Sequence, residues 1–119
     1  MAEHNDLGCW GEEVAEDYLR RKGYTILERD WKSGHRDLDI VALDEAGNTL
    51  VFVEVKTRRN QMFTDPVEAV GYQKIRNLQL AANHYIKYHQ ADLDIRFDIV
   101  TVVGTPDVEP EIEHIENAF

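Results

Sequence analysis

The segment Thr49-Leu50-Val51-Phe52-Val53-Glu54-Val55-Lys56-Thr57 decides how this chain folds. It is apolar and β-branched until two charges appear two positions apart, the composition of a strand buried along most of its length. The two-residue period of a strand puts Glu54 and Lys56 on one face. Upstream, Asp37-Leu38-Asp39-Ile40-Val41-Ala42-Leu43 also reads as a strand, and Asp44-Glu45-Ala46-Gly47-Asn48 between them is rich in turn formers. The two segments are expected to form an antiparallel hairpin in which Asp37 and Asp39 share a face.

Working outward, Leu7, Trp10, Val14, Ala15, Tyr18 and Leu19 recur at helical spacing, with Asn5 or Asp6 as a cap and Lys22-Gly23 as a stop. Tyr24 to Arg29 alternates, apart from Leu27, and reads as a short strand before a Ser33-Gly34 loop. Past the hairpin, Asp65-Pro66-Val67-Glu68 carries the signals of a helix start, and Gly71 interrupts the pattern. Ile75, Leu78, Ala82, Tyr85 and Ile86 then form an apolar stripe. Ile95 to Val103 reads as a buried strand, and Glu111 to Glu116 alternates as an edge strand. The order is αβββαβ. A strand, helix, strand connection makes a parallel crossover, so the last core strand is expected beside the hairpin in a mixed α/β sheet flanked by helices.

At 119 residues the chain has the size of a single domain. Acids outnumber bases 23 to 13, a net charge of −10 that argues against indiscriminate adhesion to DNA or anionic membrane. Any nucleic-acid contact must come from a local basic patch. The lone cysteine, Cys9, has no partner for an internal disulfide or a zinc pair and reads as a small buried residue. A polar, acidic start and no long apolar run give the expectation of a cytoplasmic protein without a membrane partner. Glycine-rich phosphate loops and G-x-S-x-G elbows are absent from the sequence, and His84 and His89, five apart, lack the spacing that presents two imidazoles to zinc.

The chemistry concentrates in the hairpin. Asp39 and Glu54 are expected to converge where the strand ends open to solvent, and the Val55 carbonyl can add a third oxygen. An all-oxygen site of this kind suits Mg2+ or Mn2+. A cation, or Lys56, would offset the repulsion between the two carboxylates. In a hydrolytic reading Lys56 orients water or stabilises negative charge on a phosphodiester. An ordinary surface ion pair would show the same Glu-x-Lys spacing.

Leu38-Asp39, followed 15 positions later by Glu54-Val55-Lys56 within an αβββαβ order, resembles the PD-(D/E)xK, restriction-endonuclease-like superfamily. More narrowly the chain is similar to the YraN-type family of small bacterial endonuclease-like proteins, related to Holliday-junction resolvases. The segments that carry the likeness are Gly11-Glu12, Tyr18-Leu19, Lys22-Gly23-Tyr24, Asp37 to Ile40, Val51 to Arg58, Pro66 to Val70 with Lys74, and Arg96 to Val100. The resemblance implies that Asp39 and Glu54 are metal ligands, that Lys56 is the catalytic lysine, and that Glu12 on the first helix supports the metal. It also implies a metal-dependent nuclease acting on DNA, including branched or structured DNA. Asp37 stands where the family usually has Glu, one methylene longer.

Arg58, Arg59, Lys74 and Arg76 are candidates to line a phosphate-facing edge. Arg36 and His35 rank below them. A homodimer is compatible with symmetric cutting of two strands. Two other functions fit the sequence: a nucleic-acid-binding module that keeps the fold without cleaving, favoured by the net charge, and a protein-interaction subunit whose acidic tail meets a basic partner. Asp98 is expected to pair with Arg96 or another base rather than to join the metal site.

Overall fold

Glu3–Arg21 forms α1, which begins upstream of the expected caps Asn5 and Asp6. The helix stops as anticipated: Gly23 takes φ 95° and donates its N–H to the Arg20 carbonyl at 3.0 Å. The structure, a computed structural model, describes residues 3–60 and 70–119.

Five strands follow: β1 (Thr25–Ser33), β2 (Arg36–Leu43), β3 (Thr49–Arg58), β4 (Asp94–Val103) and β5 (Glu111–Ile115), with α2 (Tyr72–His89) between β3 and β4. They lie side by side in sequence order in one sheet. The β1–β2, β2–β3 and β4–β5 pairs are antiparallel, whereas β3 and β4 run parallel from Thr49↔Asp94 to Arg58↔Val103. The mixed sheet, the αβββαβ core and the C-terminal edge strand are therefore as expected. The helix start at Asp65 and the polar loop Gln61 to Thr64 lie outside the described residues. Gly71, with φ 86°, marks the N-terminal border of α2.

β1 runs four residues beyond its expected end at Arg29. Its register shifts between Ile26 and Glu28, so Leu27, which broke the sequence alternation, sits at a bulge. The strand continues through Asp30, whose φ of 52° is unusual for a residue with a side chain.

Among the described residues, each face of the sheet buries one helix. Ala15 and Leu19 of α1 pack with Ile40, Ala42, Val51, Val53, Val100 and Val102. On the other face Leu78, Ala82 and Tyr85 of α2 pack with Leu38, Val41, Leu50, Phe52 and Ile99. Trp10 and Tyr18 pack against the α1 side as expected, while Trp31 packs on the α2 side, edge-on to Tyr85. Cys9, by contrast, is exposed rather than buried, because its position on α1 falls outside the stripe that meets the sheet.

A buried polar group centred on Asp98 lies within the α1-side core. The fully buried Asp98 accepts from Arg96 Nε and Nη2, both at 2.9 Å, and from the Asn117 N–H at 3.0 Å. His114 Nε2 lies 2.7 Å from its Oδ2, and Lys22 Nζ lies 2.9 Å from His114 Nδ1. An ammonium can only donate, so Nδ1 accepts and Nε2 carries the proton toward Asp98. Arg96 also donates to the Tyr24 hydroxyl at 2.6 Å. Burial alone would raise the Asp98 carboxyl; the bonds from His114, Arg96 and Asn117 outweigh it and hold the pKa below the usual carboxylate value. Asp98 is thus a structural group with Arg96 as its main counter-ion, as its sequence position suggested.

Candidate metal centre

The hairpin opens at its chemically interesting end. Ladder pairing between β2 and β3 runs from Leu43↔Leu50 to Ile40↔Val53 and stops there. One residue further on, the Val55 N–H donates to Asp39 Oδ2 at 2.9 Å, so a carboxylate replaces a backbone acceptor at the point where the strands part. Alternation in β2 also breaks here: Leu38 packs on the α2 side and Ile40, two residues later, on the α1 side. Asp39 consequently stands in the seam between the two faces.

Three further carboxylates approach Asp39. Glu54 lies against it with a side chain only 6% exposed. Its Oε1 has no hydrogen-bond partner among the described residues. Glu12 arrives from α1, which can ride close over β3 because Gly11 has no side chain; a Cβ there would overlap the Thr57 side chain. Asp30 stands opposite Asp39 across the β1–β2 register, between the pairs Arg29↔Ile40 and Trp31↔Leu38. Glu12, Asp30 and Asp39 each offer an oxygen, all within 4.8 Å of one another. Asp30 was missed in the sequence because it follows the apparent end of a strand and no periodicity marks it.

The cations are arranged around this group. Lys56 borders a groove of about 660 Å³ with Leu7, Gly8, Glu12, Val55, Thr57 and Arg59. Lys74 reaches in from α2, its Nζ 3.9 Å from both Glu54 Oε2 and Asp37 Oδ1, so this expected phosphate contact sits at the carboxylates instead. Arg29 binds Glu16 at 2.7 Å and lies 3.5 Å from Glu12. Of the other basic candidates, Arg59 is on the groove, Arg58 is half-buried at the end of β3, and Arg76 is exposed on α2. Asp37 pairs with Lys32 at 3.5 Å. Thus Asp39, Glu54, Glu12 and Lys74 come together with Lys56 beside them, while Arg58 and Arg76 contact none of these carboxylates through an ion pair.

Crowding and burial show in the protonation of the acids. Burial first, and then the Asp39 charge, push Glu54 up to about 9; the Lys74 and Lys56 charges only partly counter this. Burial and Asp39 likewise raise Glu12 to about 7. Asp39 is raised as well, chiefly by burial, against hydrogen bonds from Glu54 and the Val55 N–H. Without a cation, the folded protein therefore holds a proton on Glu54 that the unfolded chain releases above about pH 4.5. Stability should fall as pH rises from about 5 to 9. In metal-free buffer at about pH 9, Glu54→Gln is expected to melt at least ~8 °C above the unmodified protein, from relief of at least ~2 kcal/mol. At about pH 5 the two should coincide; a lower melting point for Glu54→Gln at both pH values would refute the buried-charge account.

Known proteins resemble this chain along its length. The family described as Uncharacterised protein family UPF0102 matches residues 11–102. The chain belongs to UPF0102. A UPF0102 protein of Bacteroides thetaiotaomicron is 50% identical over 119 residues, covering 100% of this chain and 96% of the relative. A UPF0102 protein of Porphyromonas gingivalis is 47% identical over 120 residues, covering 100% of this chain and 87% of the relative. Among solved structures, Pyrococcus furiosus SfsA in complex with Ca2+ aligns with 90% of this UPF0102 chain and 60% of its own, at 16% identity and a TM-score of 0.32, too slight a likeness to bear on function. The UPF0102 match takes in every carboxylate of the cluster, from Glu12 to Glu54. Among the described residues of this UPF0102 protein, no helix is long and apolar enough to cross a membrane.

Proposed function

We propose that this UPF0102 protein is a divalent-metal-dependent nuclease of the restriction-endonuclease-like, PD-(D/E)xK kind, hydrolysing phosphodiester bonds in DNA. The observation that carries the reading is the opened hairpin end, where Glu54 keeps a buried, unpartnered carboxyl oxygen against Asp39 with Lys56 alongside. A buried orphan acceptor is costly unless a ligand meets it, and hard oxygen donors fit Mg2+ or Mn2+. Asp39, Glu54 and the Val55 carbonyl would hold the ion, with Glu12 supporting them. When bound, the ion would supply Lewis-acid stabilisation of phosphodiester charge and ease deprotonation of water.

The protein's own groups supply the rest. Asp39 and Glu54 give up their shared proton load to become ligands, so binding is favoured by rising pH. Lys56, on the groove wall, orients a water or meets the charge that develops on the phosphate. Arg59 on the same groove positions the substrate backbone, and Lys74 is near enough to follow the phosphate once Glu54 is otherwise neutralised.

The test is cleavage of duplex, single-stranded and four-way-junction DNA by purified protein with Mg2+, Mn2+ or EDTA, with Asp39→Ala as the contamination control. Metal-dependent cutting that disappears in Asp39→Ala is expected. Salt-dependent DNA binding with no cutting of any substrate would replace the reading with that of a non-cleaving binding module.

A further inference from the structure

We propose that Arg36 and His84, with Ser33 orienting the imidazole, form a phosphate-binding site on the α2 side of the sheet, which holds a DNA backbone phosphate a few nucleotides from the one at the hairpin end. The choice of DNA rests on the nuclease reading above, whereas the site itself uses none of the carboxylates and none of the groove residues.

Local geometry brings the three side chains together. β1 and β2 are joined by the two-residue turn Gly34-His35, with Gly34 at φ 63°, which leaves Ser33 directly opposite Arg36. Residues opposed in an antiparallel pair share a face, with Cβ atoms about 5 Å apart. That face is the one α2 covers. Two residues back along the ladder, the opposed pair Trp31 and Leu38 packs on the α2 side, and the Ser33 hydroxyl meets His84 Nδ1 of α2. Trp31 stands edge-on to the same imidazole, ring centroids 6.3 Å apart, and holds it from a second direction.

Arg36 shows what is wanted there. Its Nε is buried and has no hydrogen-bond partner among the described residues, an expensive state for a charged donor. Acceptors are plentiful in a chain with 23 acids, yet Asp37, next in sequence, pairs with Lys32 at 3.5 Å and Lys74 at 3.9 Å instead. Arg29 and Arg96 are each committed to a carboxylate. A guanidinium kept apart from the acids is matched to the oxygens of a phosphate, which it can meet through two N–H groups at once. His84 is exposed, and with Ser33 donating to Nδ1 its neutral ring carries the proton on Nε2, a second donor for the same anion. Three residues of β2 separate Arg36 from Asp39, about 10 Å, or a few nucleotide rises of about 3.4 Å, so one DNA strand spans both places.

DNA binding to the full chain, followed by fluorescence anisotropy across a salt series in EDTA and in Ca2+, tests the site without reference to cleavage. Arg36→Ala is expected to weaken binding about tenfold and to lower the slope of log affinity against log salt by about one, the mark of a lost phosphate contact. Arg36→Lys keeps the charge and should keep the slope. His84→Ala, at an exposed position, should weaken binding about threefold. Circular dichroism checks that each variant is folded, and the Arg36 Nε–H signal in 15N NMR should shift when DNA is added. Unchanged affinity and slope in both Arg36→Ala and His84→Ala would overturn the site and leave the nuclease reading standing. A shift of the Arg36 signal with inorganic phosphate but not with DNA would overturn the DNA assignment. The expected Arg36 and His84 effects in a protein that cuts no DNA with any metal would support the site and overturn the nuclease reading alone. No DNA binding by the unmodified protein would overturn both.

Discussion

Replacing Lys56 by alanine is expected to reduce metal-dependent DNA cleavage by about 10³-fold or more, because one aligned charge at the reacting phosphate is removed from a site that is partly shielded from water. Manganese affinity should stay within about threefold of the unmodified protein, since Lys56 is not a ligand and the carboxylates keep their seam. Asp39→Ala is expected to behave differently. It removes the acceptor of the Val55 N–H as well as a proposed ligand, so affinity and cleavage should fall together. Single-turnover cleavage measured beside cation titration separates the two patterns. Cleavage by purified Lys56→Ala at the unmodified rate would remove Lys56 from the chemistry.

Asp98→Ala is expected to cost about 3 kcal/mol, lowering the melting temperature by roughly 12 °C. The substitution leaves Arg96 and the almost fully buried His114 without their shared acceptor, and it frees the Asn117 N–H. Because the Asp98 pKa is depressed, its contribution is present above about pH 3.8 and is lost as pH falls through the folded-state value. The difference between variant and unmodified protein should therefore be full at neutral pH and shrink only in strong acid. Thermal melts at about pH 7 and pH 3 read it directly. An undiminished difference at the lower pH would mean that packing, not charge, sets the cost. This acid-side dependence runs opposite to that of Glu54, which destabilises the metal-free fold as pH rises.

The two acids also mark what the sequence could and could not disclose. The hairpin was legible because Val51 to Val55 is a buried-strand composition and Asp44 to Asn48 a turn composition, both local properties. The parallel placement of β4 followed from the handedness of a strand, helix, strand connection. Asp30 was hidden because its role depends on a left-handed backbone and on a partner across the sheet, and neither leaves a periodic trace. His114 was nearer to view. The run Glu111-Ile112-Glu113-His114 puts His114 on the same side as Ile112, which packs on the α1-side core, so an inward histidine was implied by parity although its partner Asp98 was not. Lys74 was read as a phosphate contact because it sits early in the helix expected after the polar loop. Only the packing of α2 against the sheet brings it to Glu54.

The placement of the parallel β3–β4 pair bears on how the molecule assembles. Glu12, Asp30, Asp39, Glu54 and Lys56 all belong to α1 and the β1–β2–β3 meander, whose strands join through short turns and close quickly. β4 must wait for α2 to form and cross over before it can dock. Until β4 docks, the edge of β3 from Leu50 to Val55 lacks the neighbour it has in the folded sheet. Such an edge is a template for association with another chain, and Glu54 near the end of that apolar run interrupts it. On this view the same residue that makes the metal-free fold fragile in alkali also guards its least protected strand during folding.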